Sequence, residues 1–106
     1  MAIFQHHLFS RTRDFADDFA KSLSKFDEVI LLDIYPAREK PINGVSTELI
    51  TNELKKMGHS NVIYQPNKDK IPITVKEIHE KGDLIITMGA GDIWRQIEKI
   101  YEEISI

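Results

Sequence analysis

A chain of 106 residues that is 42% hydrophobic and 29% charged has the composition of one globular domain with a single core, not of a disordered or membrane chain. Fourteen Lys and Arg against seventeen Asp and Glu give a net charge of -3, so there is no basic excess to serve a nucleic-acid backbone. Cysteine is absent, which excludes disulfides, cysteine zinc sites and a thiol nucleophile. No apolar run reaches membrane-spanning length and no signal peptide precedes Gln5, so the expectation is a cytoplasmic chain with no membrane or nucleic-acid partner.

Apolar β-branched runs alternate with helix-period segments four times, with Gly, Pro or Asn at the breaks. A first short strand is expected at Ala2 to Gln5. A helix follows from about Thr12 to Phe26, with Phe15, Phe19, Leu23 and Phe26 as one stripe toward a sheet. Asp14, Asp17 and Asp18 are placed in its first turns, where the helix dipole favours acids. The second strand spans Glu28 to Ile34, and its continuous Val29-Ile30-Leu31-Leu32 run suits a parallel strand covered on both faces. Ser46 caps a helix carrying Leu49, Ile50, Leu54 and Met57, with Gly58 as its stop. The third strand is Asn61 to Tyr64, and a shorter helix after Pro72 buries Val75 and Ile78 and ends by Gly82. The fourth strand is Asp83 to Met88, and a last helix starts at Asp92 and repeats Ile93, Ile97, Ile100 and Ile104. The pattern specifies an α/β, Rossmann-like three-layer domain with a mainly parallel sheet of about four strands and four helices, occupying residues 1–106 as a single domain.

Right-handed crossovers bring the segments leaving the carboxyl ends of parallel strands to one edge of the sheet. That edge receives FQHHLFSRT, DIYPAREKPINGV, YQPN and GAGDI. Gly89-Ala90-Gly91-Asp92 makes a tight strand-to-helix turn, yet it lacks the third glycine of a dinucleotide fingerprint, and Asp92 opposes phosphate. There is no GxxxxGK[ST] phosphate loop, so the chain is not expected to hydrolyse ATP alone. Asp33 ends a strand where it either touches a ribose or metal or satisfies loop N–H groups. Tyr35-Pro36 and Pro41-Ile42-Asn43-Gly44 form a stiff, shaped loop. His6 and His7 are adjacent on a strand and point to opposite faces, a poor chelating pair, and no metal site is expected. Arg13 reads as a solvated helix-face charge. Arg11 sits at the loop-to-helix junction, where a guanidinium can reach a carboxylate or phosphate across the crevice or engage in a surface ion pair.

Taken together, FQHHLFSRTRDFADDFA, LLDIYPAREKPINGVSTELI and GDLIITMGAGDI closely resemble the carboxy-terminal domain of the UDP-N-acetylmuramate:L-alanine ligases, within the muramyl-peptide ligase family. The resemblance spans most of the chain in the family's order. It implies a three-domain bacterial enzyme of peptidoglycan synthesis, and hence of cell-wall biogenesis, in which other domains bind the UDP-sugar and hold ATP and magnesium. This chain would then be most of the last domain, truncated at its N-terminal side, with the UDP-sugar-binding and ATP-binding domains absent. In the reaction so implied, the muramyl carboxylate attacks the γ-phosphate of ATP, and the acyl phosphate is attacked by the amine of L-alanine. The partners implied for the full-length enzyme are UDP-N-acetylmuramate, L-alanine and the missing domains, while the isolated fragment is expected to be inactive, with no tightly bound cofactor.

By the same resemblance, His7 and Arg11 match a basic segment that helps hold the carboxylate of the amino acid or of the product. His6, Tyr35, Gly89, Ala90, Gly91 and Asp92 fall near the closed cleft, without a catalytic role. The family commonly reads FQPHRYSRT, and here His6 stands for the proline, Leu8 for the first arginine and Phe9 for the tyrosine. Leu8 cannot pair with an anion. The competing readings are a free-standing flavodoxin-like binding or interaction module, and a nucleotide-binding Rossmann half using GAGDI.

Overall fold

The computed structural model describes residues 1–36, 38–89 and 93–104. Four strands, β1 (Ala2–Gln5), β2 (Val29–Leu31), β3 (Val62–Tyr64) and β4 (Ile86–Gly89), form one sheet in the order β3-β2-β1-β4. Every pair is parallel, with Phe4 opposite Leu31 and Met88, and Gln5 opposite Gly89. Helices α1 (Phe9–Leu23), α2 (Glu48–Lys56), α3 (Ile71–Ile78) and α4 (Gln96–Ile104) supply the crossovers. This is the Rossmann-like α/β arrangement expected from the alternating pattern.

The apolar run of β2 explains the three layers. Val29 and Leu31 face α1 and α2 in a core with Ala2, Ala20, Leu23, Ile50 and Leu54. Ile30 and Leu32 face the other way, with Ile3, Ile71, Val75, Ile93 and Ile100. A strand whose alternate residues feed two cores must be apolar throughout. The edge strand β4 is less covered, and Leu84 just before it is 72% exposed although its sequence looks like that of β2.

Helix α1 departs from expectation in its start and its buried face. It begins at Phe9, three residues before the expected Thr12. Leu8 provides no side-chain cap; the first turn is held by Glu39, whose carboxylate accepts the Ser10 N–H (2.8 Å) and the Ser10 hydroxyl (2.6 Å). That capping group arrives from the loop after β2, 29 residues away, so no local signal marks it. The earlier start leaves no acid in the first turn, displacing Asp14, Asp17 and Asp18 from the position expected of them. Backbone angles leave the helical range at Phe15, whose ring is 49% exposed, and the buried stripe consists of Thr12, Ala20 and Leu23, flanked by Ala16 and Phe19.

Other boundaries shift by similar amounts: β2 ends at Leu31 and not Ile34, β4 starts at Ile86 and not Asp83, and α3 ends at Ile78, short of Gly82. The Ser46 hydroxyl accepts the Glu48 N–H at the start of α2, and Gly58 adopts the positive φ of a helix stop. A short 3-10 turn at Ile93–Arg95 leads into α4, where Ile93, Gln96 and Ile100 are buried while Ile97 is exposed. The expected start at Asp92 lies outside the described residues.

Candidate functional site

In the order β3-β2-β1-β4 the chain progresses outward from β1 to β3 and then returns to the far side of β1. The carboxyl ends of β1 and β4 therefore flank the topological switch point, where open α/β sheets place ligands. A cleft of about 330 Å3 lies there, lined by Phe4, Gln5, His6, His7, Arg11, Phe19 and Gly89. Four of the residues singled out in the sequence, His6, His7, Arg11 and Gly89, share this wall. Tyr35 stands beside it: its backbone pairs with His6 and Leu8, and its ring centroid is 6.0 Å from that of His7. Ala90, Gly91 and Asp92 lie outside the described residues.

Gly89 permits the two strand ends to approach. Its φ is +117°, and a Cβ there would stand 1.9 Å from the carbonyl oxygen of Gln5. Only glycine combines that angle with that proximity.

Both histidines follow β1 and line the cleft, with His6 buried and His7 exposed. The Thr12 hydroxyl donates to the Leu8 carbonyl (3.0 Å), and its oxygen is within hydrogen-bond distance of His6 Nδ1, also at 3.0 Å. The Nδ1–H tautomer completes this pairing, and Nε2 is buried without a partner among the described residues. Burial lowers the His6 pKa to about 4, against the weaker opposing pull of the Asp33 carboxylate. His6 is thus neutral at physiological pH and adds no positive charge to the cleft.

Arg11 has an exposed side chain and makes no hydrogen bond or ion pair among the described residues. Arg13, by contrast, is occupied by the neighbouring Asp14 (2.9 Å) on the solvent side of α1. Arg11 therefore presents on the rim of the cleft a guanidinium with no partner among the described residues. Leu8, between the histidines and Arg11, has φ +66° and ψ +138°, a conformation disfavoured for any side chain.

Three polar contacts carry no signal in the sequence. Glu39 anchors the helix start, Thr12 links His6 to Leu8, and the Asp33 carboxylate accepts the Tyr64 hydroxyl. The last contact raises the Tyr64 pKa to about 12. Among the described residues no three His, Asp or Glu side chains converge as metal ligands, and no helix is long and apolar enough to cross a membrane.

A family model described as "Mur ligase, glutamate ligase domain" matches residues 1–91. The chain belongs to the Mur ligase family. Curated relatives named UDP-N-acetylmuramate--L-alanine ligase include one from Flavobacterium psychrophilum, 47% identical over 98% of this chain, and one from Thermobifida fusca, 46% identical over 96%. A third, from Cutibacterium acnes, is 50% identical over 88%. This Mur ligase chain spans about a fifth of the length of these relatives: 22%, 21% and 20% respectively. The family match and the four-stranded parallel sheet agree with the fold and the ligase kinship that the three sequence segments implied.

Proposed function

We propose that this chain is the carboxy-terminal part of a bacterial, cytoplasmic, ATP-dependent ligase that adds L-alanine to UDP-N-acetylmuramate, and that its cleft holds the carboxylate of the amino acid or of the product. The observation that carries the reading is Arg11, a guanidinium on the rim of the switch-point cleft with no partner among the described residues. A planar guanidinium grips a carboxylate through two parallel N–H bonds. The 41–50% identity to several ligases named for L-alanine supports the choice of amino acid.

The chemistry follows from charge and placement. The muramyl carboxylate takes the γ-phosphoryl group of ATP with ADP as the leaving group, and the amine attacks the resulting acyl phosphate, forming the amide as phosphate leaves and the amine gives up a proton. In this scheme the chain's own residues orient the nucleophile. Arg11 fixes the amino acid by its carboxylate, and the exposed imidazole of His7 adds a hydrogen bond from the same wall. Fixing one end directs the amine one carbon away and removes orientational freedom before attack. Phe4 and Phe19 supply an apolar wall that strengthens the electrostatic contact.

A guanidinium, an outward imidazole and a neutral buried imidazole do not suit magnesium, which prefers carboxylate oxygens and water. Magnesium and ATP accordingly belong to the other domains of the complete protein in this proposal. Domain closure brings the cleft over the acyl phosphate.

Phosphate release by the complete protein, assayed with ATP, UDP-N-acetylmuramate and either L-alanine or glutamate, tests the assignment. Turnover is expected with L-alanine, and none from residues 1–106 alone. Preference for glutamate, or turnover by residues 1–106 alone, would overturn it.

A further inference from the structure

Leu8 occupies a strained junction. At φ +66° and ψ +138° it lies close to a region populated almost entirely by glycine, and such a residue persists only when its surroundings over-determine it. Here the restraints are visible. The Leu8 N–H donates to the Tyr35 carbonyl (2.9 Å), which fixes the incoming side. The Leu8 carbonyl receives both the Thr12 N–H (3.2 Å) and the Thr12 hydroxyl (3.0 Å), which fix the outgoing side. Thr12 is itself fully buried, and its hydroxyl has one proton to give. A proton on His6 Nδ1, 3.0 Å away, would make the Thr12 proton point at Leu8 by occupying the oxygen as an acceptor.

The geometry points to His6 and Thr12 as positioning residues: a relay from imidazole N–H to threonine hydroxyl to Leu8 carbonyl locks the positive-φ junction and so aims Arg11 into the cleft. Arg11 lies between the two ends of this relay, on the first turn of α1. If the Leu8 carbonyl is released, the junction can relax toward ordinary angles and the first turn rotates. The guanidinium, which no ion pair among the described residues holds in place, then loses its direction. The proposal rests on the reading of the cleft as a carboxylate site, but the lock has readouts of its own.

In the complete protein, Thr12→Val removes the hydroxyl with little change of shape and Thr12→Ser retains it. His6→Leu removes the donor, whereas His6→Asn keeps an N–H near the place of Nδ1. Thr12→Val and His6→Leu are expected to raise the KM for L-alanine at least about fivefold, while kcat at saturating L-alanine and the KM for ATP stay near the unsubstituted values. Thr12→Ser and His6→Asn should restore the L-alanine KM. Unchanged L-alanine KM in Thr12→Val and His6→Leu, with Arg11→Ala raising it, overturns the relay and leaves the site reading intact.

A second readout decides the relay independently of any effect of Arg11. Nitrogen-15 NMR of labelled histidine should find His6 as the Nδ1–H tautomer in the unsubstituted protein, and the Thr12 amide should be protected from hydrogen exchange until Thr12→Val or His6→Leu is introduced. An Nε2–H tautomer, or unchanged Thr12 protection in both variants, overturns the lock. If Arg11→Ala leaves the L-alanine KM unchanged, the carboxylate reading fails and the aiming role fails with it, whatever the NMR shows about the lock.

Discussion

Gly89 meets Gln5 across the β1–β4 pair so closely that a Cβ on Gly89 would fall 1.9 Å from the Gln5 carbonyl oxygen. The obstruction is backbone, which cannot rotate aside as a side chain can. Gly89→Ala is expected to destabilise the protein by more than about 2 kcal/mol, since it combines overlap with a φ of +117°. Denaturant unfolding measures this. Gly44→Ala is the matched control: its φ is +79° but nothing lies within 4 Å of its Cβ, so its cost should be smaller.

Buried, neutral His6 gives the fold an acid-sensitive term. Its pKa is near 6.5 when exposed and about 4 in the fold, so between those values the unfolded chain binds a proton that the folded chain refuses. Stability is therefore complete above pH 6.5, falls as pH drops from 6.5 to 4, and levels below that as far as this group is concerned. The full loss is on the order of 3 kcal/mol. His6→Asn should lack this slope, and unfolding free energies measured across pH 4 to 7 will show whether it does.

Glu39 adds to the acid sensitivity at lower pH. Hydrogen bonds from the Ser10 hydroxyl and N–H hold its carboxyl below the usual range, so its contribution is present above the unfolded value and disappears as pH falls through the lowered one. Glu39→Gln should weaken this acid limb and speed hydrogen exchange at the Ser10 amide. Ser10→Ala should produce a smaller change of the same kind.

Leu8 stands where the family resemblance implies an arginine, beside the proposed carboxylate site. Leu8→Arg is expected to lower the KM for L-alanine about tenfold, the worth of one charge-assisted bond of roughly 1.5 kcal/mol. Steady-state kinetics at saturating ATP measure it. Leu8→Gly, which accepts the positive φ without strain but brings no charge, should leave that KM within about twofold.

The β1 strand and the two-sided β2 run were legible because their periodicity reports directly on burial. The Val29-Ile30-Leu31-Leu32 alternation between two cores follows from composition alone. Helix α1 was misread where a distant group intervened: Glu39 caps from 29 residues away, the start moves to Phe9, and Phe15 leaves the buried stripe that spacing had assigned to it. Ile97 failed for a related reason, because Ile93, Gln96 and Ile100 define the buried line and Gln96 carries no apolar signal. At the site, the gathering of His6, His7, Arg11 and Gly89 at one edge was legible, but the neutrality of His6 depends on burial and on Thr12, six residues away in sequence. The conformation of Leu8 had no signal at all, since strain at a non-glycine residue exists only in the assembled junction.

The central claim is that Arg11 holds the carboxylate of the amino acid. The most direct test is the L-alanine KM of the complete protein carrying Arg11→Ala, measured with ATP and UDP-N-acetylmuramate saturating. Loss of a charge-assisted, bidentate contact should raise that KM at least about tenfold while the KM for ATP is unchanged. An L-alanine KM equal to that of the unsubstituted protein would contradict the account.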